Sequence, residues 1–554
     1  MRRRQPCWPA LQAEQRGRSC QQGSHSRPCW RDAVDYWGPS DEPITGVAYD
    51  SRQVVPGDAF VAIPGFVHDG VVFAGRAIEA GATAVVAEVG PDALTSSPLP
   101  RTWARVRDAR LALARMASRF YDHPSSKLEV VGITGTNGKT TVTALLESLL
   151  SCHGPAGRWS TTVVSIGGRR SAAQRTTPEA VDLQRALYEM VEAGCWAAAI
   201  EVSSHALALK RVEEIRFAAA VFTNLSRDHL DFHRDLDDYL DAKAILFEGM
   251  EPTAVAVLNA DELCAGALAE RARGRVVSYG WDPQRRDLAP ALSSRDLGQV
   301  SVLVEGASRP PAFASAPPLT PDYVIRGWER TAAGSLLRLD TPAGPIEAES
   351  PLFGPTNAEN LAAGIAAAIE IGCPASQVAA LLKTFPGPRG RLQRIEAGQP
   401  FVVLVDYAHT PAALEAALAA SRSLVTGGRV ILIFGCGGDR DQAKRPMMGE
   451  VAACKADYVV ITTDNPRSED PGAIMRDVEA GVPAAAKATV VREIDRRVAI
   501  EHALELAEPG DCVLLAGKGH ETEQVFADRV IEHDDRRIAD EWLRRRYDST
   551  GARQ

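Results

Sequence analysis

Short apolar runs recur through the middle of the chain: residues 130–133, then "CWAAAIE" (195–201), "FAAAVFTN" (217–224) and "AVAVLNAD" (254–261). Helical stretches separate some of them. Nearly continuous apolar strands alternating with helices predict a buried parallel sheet. The theme returns after residue 387 in "FVVLVDYAHTP" (401–411), "RVILIFGCGGDRD" (429–441), "DYVVITTDNPR" (457–467) and "DCVLLAGKGHE" (511–521). Each run ends in a polar, Gly-rich or charged cluster, and open parallel sheets bind ligands at the carboxyl ends of their strands. Upstream, "ITGVAYDSRQVVPGDAFVAIPG" (44–65) predicts short strands with turns at Pro56-Gly57 and Pro64-Gly65. "GVVFAGRAIEAGATAVVAE" (70–88) predicts an amphipathic helix followed by a strand. The fold class is α/β, with expected units at 33–125, 126–386 and 387–554. Residues 281–322, with the Pro/Ala/Ser-rich "SRPPAFASAPPLTP", break the pattern and predict an insert.

Composition narrows the class. At 554 residues the chain exceeds what one core supports. A content of 45% hydrophobic and 24% charged residues is that of an ordinary globular protein, and a net charge of −9 argues against general affinity for nucleic acid or anionic membrane. No apolar run reaches the roughly 18 residues of a membrane span, so no membrane insertion is expected. The basic N-terminus lacks an apolar region and is not a secretory signal. Residues 1–32 read as a disordered extension, or as translation assigned from a start codon placed too early. The ten cysteines include no C-x-x-C pair, which leaves zinc and redox frameworks little support and fits a reduced, cytoplasmic setting.

The strongest chemical signal is "GITGTNGKTTVTALL" (132–146), a strand end, a Gly-rich turn and a helix start. Backbone N–H groups of Gly135, Thr136, Asn137, Gly138, Lys139, Thr140 and Thr141 would cradle phosphates, with Lys139 neutralising charge and Thr140 offering a hydroxyl to a metal. The spacing is not that of the usual Walker loop, because Ile133 stands where its first glycine would be. Downstream strand ends carry Glu201, followed by "VSSH", and a cluster of Asp228, His229, Asp231 and His233, suited to Mg²⁺ or a second metal. Each cluster alone could equally be capping and solvated loop groups. Lys243, on a predicted helix, reads by itself as a surface lysine. In the last unit Arg440, Asp464, Asn465, Pro466, Arg467, Gly517, Lys518, His520 and Glu521 lie at successive strand ends, a mixture of cations and carboxylates suited to a small zwitterion.

Together these motifs resemble the Mur ligases, the ATP-dependent amide ligases of peptidoglycan precursor synthesis. The resemblance rests on "DSR" (50–52), "GTNGKTT" (135–141), "TTP" (176–178), "EVSSHAL" (201–207), "TNLSRDHLDFH" (223–233), "DYAHTP" (406–411), "GCGGDRD" (435–441), "DNPR" (464–467) and "GKGHE" (517–521), in one order over residues 44–547. It implies a three-domain architecture: a UDP-substrate domain, a central P-loop ATPase-like parallel sheet and a C-terminal Rossmann-like domain. It implies ATP and Mg²⁺, with Thr140, Glu201, His229 and a carbamate on Lys243 at the metal, and Lys139, Lys243 and His229 as catalytic groups. Asn357, Arg391 and Asp406 would hold adenine and ribose. Ser51, Arg52, His68, Thr176, Thr177, Ser203 and Arg211 would contact UDP-N-acetylmuramoyl-L-alanyl-D-glutamate. Arg440, Asp464, Asn465, Pro466, Arg467, Gly517 and Glu521 would receive meso-diaminopimelate, in a monomer. Thr356 and Leu209 depart from the residues common at those places in the family. The rival readings are a lysine-adding ligase, a folylpoly-γ-glutamate synthetase and, from another class, a P-loop ATPase switch.

Overall fold

The computed structural model describes residues 33–39, 43–66, 68–94, 100–284, 312–331, 334–425 and 427–547. The expected N-terminal extension (1–32) and most of the expected insert (285–311) lie outside these residues. Trp281, at the edge of that insert, closes the strand Arg275–Trp281 and is buried. No helix among the described residues is long and apolar enough to cross a membrane.

The chain divides into two compact units, one taking in Met1–Val130 and Gly154–Phe217, the other Val131–His153 and Ala218–Gln554. In the first unit a five-stranded sheet runs in the order Ala33–Trp37, Thr102–Val106, Ala84–Ala87, Asp58–Val61, Gly46–Ala48, parallel except for its first pair. The near-continuous apolar runs "AVVA" and, after Asp58, "AFV" let both faces be covered, and every residue of these two strands is buried. The same unit holds the strand Ala197–Glu201, parallel to Ala156–Trp159.

In the second unit the strand Glu129–Thr134 from Val131 on, Ala219–Phe222, Val255–Asn259, Arg275–Trp281 and Tyr323–Arg330 are parallel neighbours, and the antiparallel strands Ser335–Thr341 and Gly344–Ser350 extend them. A six-stranded sheet follows, in the order Gln393–Ile395, Val402–Asp406, Cys512–Ala516, Val430–Phe434, Tyr458–Thr462, Thr489–Glu493, parallel after its first pair. Apolar layers cover both of its faces. Local chemistry starts the helices. Asp235 caps Leu236–Glu248 by accepting the N–H of Asp238 at 2.8 Å. Thr410 caps Pro411–Leu424, with Pro411 in the first turn where a missing N–H costs nothing.

Candidate active site

The phosphate loop joins the strand Glu129–Thr134 to the helix Lys139–Leu150. Two glycines are obligatory in it. Gly135 has φ 142° and Gly138 φ 85°, and a Cβ on them would stand 1.9 Å from Thr223 Oγ1 and 2.3 Å from Asn360 Oδ1. The neighbouring strand end braces the loop. Asn224 O accepts the N–H of Thr136 at 2.9 Å, and Asn224 Oδ1 accepts that of Asn137 at 2.8 Å. Thr223 Oγ1 and Asn224 Nδ2 both donate to the carbonyl of Asn137, at 2.6 and 3.2 Å. Lys139 Nζ donates to the carbonyls of Gly135 and Thr136 at 2.9 and 2.8 Å, holding a cation over the loop. Thr140 and Thr141 are buried at the helix start.

Tyr239 is a hub that the sequence did not disclose. Its hydroxyl lies 3.4 Å from Thr136 Oγ1, its ring is 4.9 and 6.2 Å from those of His233 and His229, and Lys243 Nζ sits 4.1 Å from its centroid. Lys243 is therefore no surface lysine, being 1% exposed. Burial, with a smaller push from Lys139, depresses its pKa well below the ordinary lysine value and favours the free amine. The Asp228 carboxylate accepts the N–H of His229 at 2.9 Å and lies 3.4 Å from its Nε2. Burial opposes the charge on Asp228, but His229, His409 and Lys444 outweigh it and hold the carboxyl below its usual range. His229 has φ 54°, a left-handed conformation uncommon outside glycine. Burial lowers the pKa of His233, against its contact with Asp238 at 3.3 Å.

The expected adenine and ribose residues come together in the same unit. Asn357 is buried, donates to Phe353 O at 2.7 Å and accepts from Asn360 at 3.2 Å. Arg391 lies 4.8 Å over the Tyr407 ring and donates to Thr140 Oγ1 at 3.2 Å. Asp406 accepts the backbone N–H groups of Leu392 and Ala408 at 2.7 and 2.8 Å, while burial raises its pKa. His520, 5.0 Å from Tyr407, is pulled down to about 4 by burial and by Arg391 and Arg389.

The third group surrounds Lys518, which is fully buried. Its ammonium donates to Asn465 Oδ1 at 3.1 Å and Glu521 Oε2 at 3.0 Å, and lies 3.9 Å from Asp464. Asn465 Nδ2 also donates to Glu521 Oε2, at 2.8 Å. Gly517 has φ 105°, and a Cβ there would meet Asp464 Oδ2 at 2.7 Å. Pro466 turns the chain, its carbonyl accepting from Glu469 at 3.0 Å. Arg467, at φ 51°, donates through one guanidinium nitrogen to Gly438 O at 2.6 Å. Arg440 stands exposed on the neighbouring loop.

The remaining expected residues belong to the first unit. Glu201 is wholly buried, and its two carboxylate oxygens accept the backbone N–H and the hydroxyl of Thr161, both at 2.9 Å. The Thr176 hydroxyl lies 3.1 Å from Thr161 Oγ1, whose own proton goes to Glu201. Thr177 Oγ1 donates to Glu201 O at 2.8 Å and accepts from Ser203 N at 3.1 Å, while Arg211 donates to Thr177 O at 3.1 Å. Arg110, Arg175 and Arg211 all lie within 3.7 Å of Glu179, so cations outnumber carboxylates there. Ser51 is buried, Arg52 is exposed and paired with Asp50 at 2.7 Å, and His68 meets Phe73 edge-on at 6.1 Å.

Comparison with known proteins identifies the family. Residues 43–121 match the model of the Mur ligase family, catalytic domain, residues 133–368 the Mur ligase middle domain, and residues 390–519 the Mur ligase, glutamate ligase domain. A UDP-N-acetylmuramoyl-L-alanyl-D-glutamate–2,6-diaminopimelate ligase of Gloeobacter violaceus is 42% identical over 518 residues, covering 93% of this chain and 97% of that protein. The enzyme of the same name from Solibacter usitatus is 42% identical over 504 residues, covering 90% and 94%. A solved structure of a ligase of that name superposes with a TM-score of 0.59 at 30% identity, covering 91% of this chain and 96% of that one. The chain belongs to the Mur ligase family, whose members are ATP-dependent amide-forming ligases.

Proposed function

We propose that the chain joins meso-2,6-diaminopimelate to UDP-N-acetylmuramoyl-L-alanyl-D-glutamate, with ATP converted to ADP and phosphate. The observation that carries this reading is the Lys518 cluster. A buried cation already joined to Asn465 and Glu521, with Arg467 anchored alongside, suits a substrate bearing several opposite charges. Relatives 42% identical across nine-tenths or more of the chain bear the name of that activity.

A carboxylate is a poor electrophile, because attack by an amine would have to expel oxide. Transfer of the γ-phosphoryl group of ATP to the D-Glu γ-carboxylate replaces oxide with phosphate as leaving group. The amine of diaminopimelate then attacks the carbonyl carbon. Its tetrahedral adduct expels phosphate and loses a proton, leaving the amide. In this scheme the loop Gly135–Thr141 binds the phosphates, and Lys139 offsets their charge. Asn357, Arg391 and Asp406 hold the nucleoside. Ser51, Arg52, His68, Thr176, Thr177, Ser203 and Arg211 hold the UDP-sugar dipeptide. Arg440, Asp464, Asn465, Pro466, Arg467, Gly517 and Glu521 form the amino-acid pocket.

The residues expected at Mg²⁺ fit an oxygen-rich site. Thr140 stands at the loop, and the buried amine of Lys243 is the form that reacts with CO₂ to give a carbamate anion and a proton. Thr140, His229 and that carbamate, all in the second unit, would hold the ion, which supplies charge screening between phosphate and carboxylate, while Glu201, expected at the same ion, belongs to the first unit and has both carboxylate oxygens on Thr161. The domain division at 125 and 386, a monomeric state and a cytoplasmic location belong to the same reading. The decisive experiment supplies purified protein with ATP and the UDP-muramoyl dipeptide, and tests amino acids singly. Phosphate release and a new amide should require meso-diaminopimelate. Equal turnover with lysine would remove the substrate assignment, and release without any amino acid would favour an ATPase switch.

A further inference from the structure

Cys152 and Cys373 are far apart in sequence, yet their sulfurs lie 3.0 Å apart, about one ångström beyond a disulfide bond of roughly 2.05 Å. Cys152 follows the helix Lys139–Leu150, and Cys373 follows the helix Pro355–Glu370. These two helices press together. A Cβ on Gly364 would stand 2.5 Å from the Leu145 side chain, and one on Gly138 would stand 2.3 Å from Asn360 Oδ1. Their starts carry the phosphate loop and Asn357, and their far ends carry the two thiols. Cys373 is buried and Cys152 half-buried. His153 lies beside them: one ligand-type atom from each of Cys152, His153 and Cys373 falls within 4.8 Å of the others, and His153 Nε2 is 3.1 Å from Gly372 O.

We propose that Cys152 and Cys373 form an oxidative modification site, a reversible crosslink between the far ends of the phosphate-loop helix and the Asn357 helix. The oxidant is a hydroperoxide. The Cys152 thiol, the more accessible of the two, gives its proton to the adjacent imidazole, and the thiolate attacks the peroxide. The O–O bond breaks, the departing alkoxide or hydroxide takes up the proton, and Cys152 becomes a sulfenic acid. The sulfur of Cys373 then attacks that sulfur, its thiol proton leaves with the hydroxyl as water, and the disulfide closes. Burial and the neighbouring Cys152 push the Cys373 thiol pKa up, consistent with the second, resolving role. A small dithiol reverses the bond. In a reducing compartment such a bond is transient, as redox-responsive pairs are.

The test treats the full chain with hydrogen peroxide, blocks free thiols, digests it and maps linked peptides by mass spectrometry, alongside thermal melts with and without dithiothreitol. The expected result is a Cys152–Cys373 linked peptide, and a melting temperature raised by oxidation, returned by dithiothreitol and unmoved in Cys152→Ser. Cys373→Ser should stop at the sulfenic acid. If Cys373→Ser does not fold, Cys152→Ser, at the more open position, carries the test alone. Three outcomes overturn the proposal: Cys152 over-oxidised while Cys373 stays free, linkage through another cysteine such as the exposed Cys454, or stoichiometric Zn²⁺ that shields both thiols from peroxide and is lost in Cys152→Ser. The last would make the cluster a metal site.

Discussion

Asn224→Ala isolates the bracing of the phosphate loop. The substitution keeps the backbone bond from Thr136 N–H to Asn224 O, and removes the acceptor of Asn137 N–H at 2.8 Å and one of two donors to Asn137 O. Thr223 still donates to that carbonyl at 2.6 Å, so the main loss is an N–H left without its partner. Leaving a half-buried amide unpaired costs about 1–3 kcal/mol. If the loop must hold this shape while phosphate is transferred, that becomes a roughly 5- to 150-fold loss in kcat/KM for ATP. Asn224→Asp keeps an acceptor but brings an anion towards the phosphates and loses the donor, so it should be worse than alanine. The assay is coupled ADP release with ATP varied at saturating amino acid and UDP substrate, with circular dichroism to verify folding. A folded Asn224→Ala enzyme with unchanged kinetics for ATP would refute the bracing argument.

Lys243→Met should abolish most turnover yet melt above wild type at neutral pH. Folding forces the wild-type amine to release a proton that the unfolded chain keeps, so wild-type stability rises as pH climbs from the depressed folded value towards 10.5, and the gap to the methionine variant should close over that window in melts at stepped pH. Arg467→Ala should erase most of the preference for meso-diaminopimelate over lysine, roughly 30- to several-thousand-fold in kcat/KM for an unpaired charged contact of about 2–5 kcal/mol, with KM for ATP unmoved. Lys518→Met strips the buried cation from Glu521 and Asn465 and should raise KM for diaminopimelate by about 30-fold or more, while ATP binding, followed by fluorescence titration, stays as it was.

Much of this arrangement was legible beforehand because strand ends in a parallel sheet share an edge. The apolar runs at 217–224, 401–411 and 511–521 all became strands of the expected kind, with their polar clusters just beyond. What stayed hidden depends on register and depth. Thr223 and Asn224 stood in view as part of a motif, but their role as braces needs the pairing of Phe222 with Thr134 across neighbouring strands. Tyr239 gave no signal, since one tyrosine on a helix differs in nothing from a core aromatic until its neighbours are fixed. Lys243 read as solvated because a lysine on an amphipathic helix usually is, and only the covering residues reveal its burial. Lys518 stood in view at a strand end, but its Gly-rich neighbours gave no sign that it is fully enclosed. Glu201 was expected at the metal, and its pairing with Thr161, 40 positions away, could not be foreseen from spacing.

The closed circuit of Lys518, Asn465 and Glu521 has a consequence for inhibitor design. These groups hold one another and Lys518 is fully enclosed, so the proposed pocket is stiff on that side. A stiff charged cavity does not remodel itself around a neutral guest. Analogues that trade an ammonium or carboxylate for an uncharged isostere should lose affinity steeply, because each leaves a fixed charge facing nothing. Compounds that keep the full charge pattern and vary only the connecting chain should be tolerated, so the connecting chain is where potency can be tuned.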